Sequence, residues 1–341
     1  MQRSLAVAVS SFSALGDAAR HLEAMNLDRI WATELRSRDA LIRAVHMAAR
    51  TSRIGVGTGI AYAFTRHPVA MAAAAVEGQA ASGGRLVVGI GAGTPHTRGE
   101  FGIDFDHPAA RLGEYTELIR AALRAKGGLE FHGRFYDVSM PGFRFGHDDS
   151  VPGSVRIYGA ALNSHALTVL SKSCDGIALH PFGHWPGYLD EVVLPAVAEG
   201  AAAGGPPDLA AWCIACAMED ADRARGLAKA QIALYAAQPG FTAFLDRTPW
   251  GAVAARLREE ARLGSGVRPW LSLGVRLVPD EMLDGLAIAG TPEDVAKRIA
   301  VKEHELAARG VAELTLQIPG VALPDEQALS MISELGLAAK R

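Results

Sequence analysis

The stretch RIGVGTGIAYAFTRHP, from Arg53 to Pro68, decides the fold prediction, because it has the pattern of a buried strand that leads directly into a helix. Glycines alternate here with Ile54, Val56 and Ile60. Apolar residues suit a strand of a parallel sheet that is covered on both faces, and glycines in a strand let a ligand or a neighbouring backbone approach closely. The closing proline suits the first turn of a helix, and a long alanine-rich run follows it. Ligands in α/β folds bind at the carboxyl ends of strands, so this junction predicts a site.

Strand-length apolar runs recur along the chain, and helical patterns separate most of them. The predicted strands are Leu5–Val9, Arg29–Thr33, Ile54–Ile60, Leu86–Gly91, Val155–Ala160, Gly176–Leu179, Leu209–Met218 and Ala312–Ile318. The predicted helices are Ala14–Met25, Asp39–Arg50, Val69–Ala81, Ala109–Ala125, Ser164–Ser173, Gly187–Ala203, Asp220–Ala237 and Thr291–Ala308, with Leu323–Ala339 as a terminal addition. Eight β-α pairs predict an α/β fold, a (β/α)8 TIM barrel.

The barrel is expected to form a single domain over residues 1–341, since no credible linker interrupts the pattern. Two stretches exceed ordinary connections and are predicted to be insertions: about 127–153, after the fourth helix, and about 240–284, before the eighth. The first contains FHGRFYDV, which alternates like a β-hairpin. The second contains a predicted helix, Trp250 to Arg262, among turns rich in glycine and proline.

The composition narrows the class of partner. The 341 residues are 49% hydrophobic and carry a formal net charge of −3, so no overall field would gather nucleic acid or an anionic membrane. No apolar run approaches the roughly 20 residues of a membrane span, and the amino-terminal run is strand-length rather than a secretory signal. We expect a cytoplasmic protein that acts on a small molecule, with a homodimer as a possible assembly.

The cysteines are predicted to be structural. The chain has three, which suits a reducing compartment. Cys213 and Cys216 form a CxxC, but they lie in a predicted strand, where residues three apart face opposite ways. Neither HxH nor HExxH spacing occurs. The expectation is therefore buried thiols and no metal site.

Six motifs, in this order and spacing, resemble one known family. They are IWATE (Ile30–Glu34), AARTSRIGVGTGI (Ala48–Ile60), TRHPVAMA (Thr65–Ala72), SGGRLVVGIGAG (Ser82–Gly93), FHGRFY (Phe131–Tyr136) and CDGIALHPF (Cys174–Phe182). The chain resembles the bacterial luciferase-like flavin and deazaflavin oxidoreductases, in particular the branch that uses coenzyme F420, with FMN as the alternative cofactor. The resemblance runs through nearly the whole chain.

The resemblance implies a cofactor ring at the carboxyl ends of the strands and a phosphate near the fifth strand. It also implies a non-prolyl cis peptide bond between Gly59 and Ile60, behind the ring. The small residues after the fifth strand and the predicted caps of the next helix suit close approach of an anion. The predicted cofactor-binding residues are Glu34, Gly59, Ile60, Gly91, Ala92, Gly93, Thr94, Gly159, Ala160, Ala161, Leu162, Asn163 and Ser164.

Glu34 closes the second strand, where family members carry an acid near the ring, so the resemblance implies a role in cofactor binding and catalysis. The alternative is a surface carboxylate beside Arg36 and Arg38. The family's sugar-phosphate dehydrogenases carry a histidine after this acid and a glutamate after the fourth strand. This sequence has Leu35 and Thr94 instead, which argues against that specific activity.

Two histidines are candidates for acid-base catalysis, because imidazole titrates near neutrality. His96 is the leading candidate, in the predicted loop Gly91–Arg98 after the fourth strand, and His180 ends the sixth strand. His67 is expected to cap a helix and His184 to lie at the surface. An alternative for each catalytic candidate is an ordinary solvated histidine.

The charged tail of a deazaflavin coenzyme requires positive charge at the mouth of the site, for which Arg66, Arg98 and Lys172 are candidates. The favoured function is hydride transfer between F420 and an unidentified organic substrate. An FMN-dependent monooxygenase that uses reduced flavin and oxygen is the second enzyme hypothesis. A non-catalytic flavin- or deazaflavin-binding barrel is the alternative of another class.

Overall fold

The structure is a computed structural model, and it describes residues 1–103, 106–146, 150–201, 205–263, 269–320 and 323–340. Its strands are β1 (Gln2–Val7), β2 (Arg29–Ala32), β3 (Gly55–Thr58), β4 (Ala61–Tyr62), β5 (Leu86–Gly91), β6 (Lys126–His132), β7 (Asp137–Arg144), β8 (Arg156–Ala161), β9 (Gly176–Leu179), β10 (Asp208–Ala217), β11 (Ala287–Gly290) and β12 (Glu313–Gln317). Each of the eight predicted strands overlaps one of these.

The helices alternate with the strands through most of the chain. They are α1 (Phe12–Ala24), α2 (Ala40–Ala49), α3 (Pro68–Ala81), α4 (Pro95–Glu100), α5 (Pro108–Arg124), α6 (Ser150–Gly153), α7 (Ser164–Ser171), α8 (Pro186–Tyr188), α9 (Leu194–Gly200), α10 (Ala221–Ala236), α11 (Thr242–Leu245), α12 (Gly251–Leu263), α13 (Trp270–Leu277), α14 (Asp280–Leu286), α15 (Pro292–Ala307) and α16 (Asp325–Lys340). Short 3-10 turns lie at Ala63–Thr65 and Pro239–Phe241, and a π-helical turn at Leu189–Val193 joins α8 to α9.

The strand order confirms the predicted TIM barrel. The sheet runs β10-β12-β1-β2-β3-β5-β8-β9, and β10 also pairs with β9, which closes the path. Within this path the pairs β10–β12, β12–β1, β2–β3, β3–β5 and β5–β8 are parallel. β4 continues the third strand after Gly59 and Ile60, and β11 adds to the end of β10. β11, with the sequence AIAG, was not predicted.

Both predicted insertions contain structure of their own. The first forms the antiparallel hairpin β6–β7, as the alternation in FHGRFYDV predicted, followed by α6. The second contains α12, as predicted, together with α11, α13 and most of α14. Residues 147–149 and 264–268 of these stretches lie outside the described residues, as do 202–204 at the end of the helix predicted for Gly187–Ala203.

The chain divides into two compact units. The first comprises Met1–Asp28, Leu179–Leu194 and the chain from Ala210 onward, and the second comprises Arg29–Ala178 and Pro195–Leu209. In the second unit the indole of Trp31 is fully buried, 5.9 Å from the ring of Tyr158.

The glycines of the strands in this unit make room for that indole. A Cβ on Gly57 would lie 2.5 Å from Trp31 Cε3, and one on Gly89 would lie 3.4 Å from Trp31 Cζ3 and 2.1 Å from the carbonyl oxygen of Thr58. Gly57 therefore accommodates a core side chain, where the strand pattern had suggested approach by a ligand or a backbone.

Candidate functional site

Glu34 lies two residues beyond β2 and is buried, with only 6% of its side chain exposed. Its Oε2 accepts a hydrogen bond from the N–H of Ala40 at 3.0 Å, and its Oε1 accepts one from the N–H of Tyr62 at 3.2 Å. The carboxylate therefore ties the end of β2 to the start of α2 and to β4. The alternative of a surface carboxylate beside Arg36 and Arg38 is wrong, because the Glu34 side chain is almost wholly buried.

One cation accompanies this carboxylate. Arg66 Nη1 lies 3.7 Å from Glu34 Oε1, and Arg66 Nη2 pairs with the carboxylate of Asp39. Burial raises the pKa of Glu34 above its ordinary 4.5, while the N–H groups of Ala40 and Tyr62 and the charge of Arg66 oppose this rise. A buried carboxyl with a raised pKa at the carboxyl end of a barrel strand marks a candidate functional site.

The ends of the third, fourth and fifth barrel strands meet beside small residues. The peptide bond Gly59–Ile60 is cis, which confirms the prediction. A Cβ on Gly91 would lie 2.7 Å from Ile60 Cδ1 and 3.3 Å from Ala160 Cβ, so these three predicted residues are neighbours. Gly59, Ile60, Ala92, Gly93 and Thr94 are all partly exposed. They form an open rim, on which few side chains would obstruct a flat ring.

Sequence reasoning missed Tyr62. Its N–H binds Glu34, and a Cβ on Gly93 would lie 3.6 Å from Tyr62 Cδ1, so its ring adjoins the rim. Burial raises the pKa of the Tyr62 hydroxyl, and a hydrogen bond with Thr97 opposes this. The signal available in the sequence was its position two residues after Ile60, at the end of the third predicted strand.

The predicted phosphate site has the expected helix terminus. Asn163 is the N-cap of α7, and its Oδ1 accepts the N–H of Ala166 at 2.9 Å. The side chains of Asn163 and Ser164 are exposed, whereas Ala161 is buried and Leu162 half-buried. The first N–H groups of a helix have no acceptor within the helix and attract anions. The residues present therefore fit the phosphate of a flavin or deazaflavin.

Gly159 has a packing role that the sequence did not indicate. A Cβ there would lie 2.9 Å from Cys174 Sγ and 2.9 Å from Leu170 Cδ1. The missing side chain therefore lets α7 pack closely on β8. The predicted part of Gly159 in cofactor binding stays a prediction.

Gly159→Val is expected to lower the free energy of unfolding by about 2 kcal/mol, because extra bulk in a packed core forces neighbours out of place. Urea denaturation measures the change. Gly128→Val is the matched control, since a Cβ on this strand glycine would meet nothing within 4 Å. A Gly159 variant as stable as the Gly128 variant would contradict the packing role.

His96 lies on a helix, which corrects the predicted loop. Thr94 caps α4, and its Oγ1 accepts the N–H of Thr97 at 3.2 Å, while Pro95 occupies the first turn. The cap followed by proline was the overlooked signal for a helix start. The side chain of His96 is 76% exposed, and its Nε2 lies 3.4 Å from Glu100 Oε1.

The three cations predicted for an acidic tail are not equivalent. Arg66 is held by Glu34 and Asp39, and Arg98 Nη1 donates to the carbonyl of Gly93 at 2.9 Å. Lys172 follows the last residue of α7 and lines a groove with Arg120 and Arg124. An eight-residue helix is about 12 Å long, so Lys172 is at the opposite end of α7 from the predicted phosphate site. Its role in holding the tail stays a prediction.

The other histidines considered in the sequence analysis differ in their surroundings. His67 is the N-cap of α3, as predicted, and its Nδ1 accepts the N–H of Val69 at 3.3 Å. The surface position expected for His184 is wrong, because this residue is 1% exposed in the first unit. His180, also in the first unit, follows β9 and packs among aromatic rings.

The cysteines are buried, as predicted, and burial raises the pKa of Cys213 and of Cys216 to about 12. Such thiols are poor nucleophiles and poor metal ligands near neutral pH. Among the residues that the structure describes, no group of three or more histidine, cysteine, aspartate or glutamate side chains is arranged to hold a metal ion. No helix in the described ranges combines the length and apolarity that crossing a membrane requires.

The sequence matches a family model described as luciferase-like monooxygenase over residues 2–310. The chain belongs to this family. The luciferase-like chain is 31% identical to the uncharacterized protein Rv1360 of Mycobacterium tuberculosis over 292 residues, which cover 82% of this chain and 84% of that one. It is 28% identical to a 5,10-methylenetetrahydromethanopterin reductase of Archaeoglobus fulgidus, with 87% of each chain covered.

The fold of this luciferase-like protein matches a solved structure over almost the whole of both chains. The coenzyme F420-dependent tetrahydromethanopterin reductase from Methanopyrus kandleri superposes with a TM-score of 0.78 at 21% identity, covering 98% of this chain and 97% of the other. At that identity the similarity establishes the fold alone. The recognised family and the TIM-barrel class are thus confirmed, and the similar proteins include F420-dependent enzymes.

Proposed function

We propose that this protein is an oxidoreductase that binds coenzyme F420 and moves a hydride between that cofactor and an organic substrate. Membership of the luciferase-like family and similarity to tetrahydromethanopterin reductases support the reaction class. The observation that carries the proposal is the buried Glu34 in the same unit as the open rim and the first turn of α7.

Each part of this arrangement has a distinct task. The first turn of α7, with Asn163 and Ser164, would hold the phosphate, and the rim at Gly59, Ile60 and Gly93 would take one face of the ring. Glu34 keeps β2, α2 and β4 together, so it fixes the rim. A bound deazaflavin supplies a hydride acceptor or donor, and the protein supplies orientation and a proton.

His96 is the proposed proton donor. Its exposed imidazole follows the fourth barrel strand, and the nearby Glu100 carboxylate can orient it. Solvent access lets such a histidine regain its proton after each turnover. His180 is less suited to this role, because burial and the neighbouring His184 lower its pKa to about 3.

One observation favours FMN as the alternative cofactor of a monooxygenase. Arg66 and Arg98, two of the three cations considered for an acidic tail, already bind partners in the protein. FMN has a shorter tail and requires fewer such contacts, so the choice of cofactor is tested directly.

The purified protein is titrated with F420 and, separately, with FMN, and binding is measured by fluorescence. We expect F420 to bind at least about tenfold more tightly than FMN. Ser164→Asp should weaken binding of either cofactor about tenfold, because the carboxylate that it introduces repels the negatively charged phosphate. The same change favours helix formation, since an acid is stabilising in a first turn.

The matched control for the titration is Ser272→Asp, which adds the same charge to an exposed site on α13 in the first unit. It should leave both affinities unchanged. Tighter binding of FMN would select the monooxygenase alternative. Failure of the wild-type protein to bind either cofactor would refute both enzyme hypotheses.

A further inference from the structure

His180 carries its proton on Nε2 when it is neutral. Its Nδ1 lies 3.2 Å from the backbone nitrogen of Phe182 and accepts that N–H. A neutral imidazole has one acceptor nitrogen and one donor nitrogen. The Nε2–H group of His180 is therefore a hydrogen-bond donor, and it directly follows a barrel strand at the carboxyl end, where ligands bind in this fold.

This donor has no acceptor in the part of the chain that the structure describes. His180 Nε2 is buried and makes no hydrogen bond there. A buried donor without a partner costs about 1–3 kcal/mol, and such groups in native proteins call for a functional or structural reason. An acceptor atom of a ligand would satisfy it.

The walls around the imidazole are flat and mostly apolar. The ring of Phe241 is 4.2 Å away at 31°, that of Tyr235 is 4.6 Å away, and that of Phe182 is 5.0 Å away. Aromatic walls around one polar group are typical of sites for small organic molecules. This setting suits a planar ligand that carries a single acceptor atom.

Phe241 is the wall that can move most easily. Phe182 is fully buried and stacks on Phe244 at 5.3 Å, and the hydroxyl of Tyr235 accepts a hydrogen bond from Gln317 Nε2 at 2.7 Å. Phe241 is instead partly exposed, and it ends a short 3-10 turn that begins at Pro239. Its displacement would uncover one face of the imidazole.

We propose that His180 Nε2–H donates a hydrogen bond to the carbonyl or imine group of a planar organic substrate, and that Phe241 covers one face of the imidazole until the substrate enters. This inference rests on the proposed function, since a hydride acceptor is activated when its oxygen or nitrogen is hydrogen-bonded. The low pKa of His180 keeps the ring neutral, so it polarises the acceptor without giving up a proton.

Acetophenone and ethylbenzene test the donor without any cofactor. Both are planar aromatic compounds of similar size, and only acetophenone has a carbonyl oxygen. In protein with ¹⁵N-labelled histidine, acetophenone is expected to shift the His180 Nε2 resonance, and ethylbenzene is expected to leave it in place. The resonance is assigned by its loss in His180→Phe.

Variants extend this test. His180→Phe should bind acetophenone about tenfold more weakly, the effect of one lost hydrogen bond, and His180→Gln, which retains an N–H donor, should recover part of the loss. Phe241→Ala should speed modification of His180 by diethylpyrocarbonate at least about tenfold, because the ring is uncovered.

Equal resonance shifts from both compounds, or unchanged acetophenone affinity in His180→Phe, would refute the proposal that His180 Nε2–H donates a hydrogen bond to the ligand. An unchanged modification rate in Phe241→Ala would refute the proposal that Phe241 shields the imidazole of His180. The comparison of acetophenone with ethylbenzene in the wild-type protein tests the proposal even if a variant does not fold. F420 affinity is measured in parallel: its absence in the wild-type protein would refute the proposed function, whereas the acetophenone result reports on His180 alone.

Discussion

Acidification from pH 7 to pH 4 is expected to lower the free energy of unfolding steeply. Burial lowers the pKa of His180 and of His184 from 6.5 to about 3 in the folded protein. Between these values the unfolded chain binds protons that the folded chain does not, so stability falls as the pH falls. Each histidine contributes about 1.4 kcal/mol per pH unit in this range.

Other groups modify this slope without reversing it above pH 5. The pKa of Glu34 is raised in the folded protein, so its protonation favours the folded state near its own titration and partly offsets the histidines. Hydrogen bonds from the N–H groups of Ser10 and Ser11 lower the pKa of Asp325 despite its partial burial. That carboxylate therefore adds to the loss of stability at lower pH.

Urea denaturation at pH 7, 6, 5 and 4 measures the slope. His184→Gln retains a donor for the carbonyl of Leu286, which His184 Nε2 approaches at 3.4 Å, and it removes one titrating ring. Its slope should be about half of the wild-type slope between pH 6 and pH 5. His96→Gln is the control, because that imidazole is exposed, and its slope should equal the wild-type slope. A His184→Gln slope as steep as the wild-type slope would contradict the assignment.

Glu34→Ala is expected to lower the free energy of unfolding by about 3 kcal/mol and to reduce cofactor binding at the same time. The change leaves the N–H groups of Ala40 and Tyr62 without their acceptor and removes one of two carboxylates beside Arg66. Each buried donor left without a partner costs about 1–3 kcal/mol. The loss of order at β4 would also disturb the rim.

Glu34→Gln separates the two effects, because it retains one acceptor oxygen while it removes the negative charge. We expect a smaller loss of stability than in Glu34→Ala and a measurable loss of F420 affinity. Asp17→Ala is the control, since it breaks an exposed pair with Arg20 on α1, and surface pairs contribute little. A Glu34→Ala variant as stable as Asp17→Ala would refute the linking role of this carboxylate.

Local sequence signals predicted much of the architecture. Alternating strand and helix patterns were sufficient for the eight barrel strands and for the hairpin β6–β7. Asn163 and His67 cap α7 and α3 as their positions predicted. The signal at Thr94 and Pro95 was equally local, and the helix α4 was missed because the loop after a barrel strand was expected to be irregular.

Burial of single side chains could not be predicted in this way. His180 and His184 lie four residues apart, but their surroundings come from distant parts of the sequence. The rings of Tyr235 and Phe241 pack against His180, and His184 Nε2 approaches the carbonyl of Leu286. The purpose of Gly159 likewise depends on Leu170 and Cys174, which only the packing of α7 against β8 brings into contact.

The sequence by itself determined the strand and helix order, the helix caps and, through the family resemblance, the cis bond at Gly59–Ile60. These features follow from residues close together in the chain, where periodicity and capping act. The tertiary structure decided which carboxyl and imidazole groups lose their water, and why particular glycines are required. Desolvation and close packing depend on atoms from several strands and helices at once, so the properties of Glu34 and His180 appear only after the chain has folded.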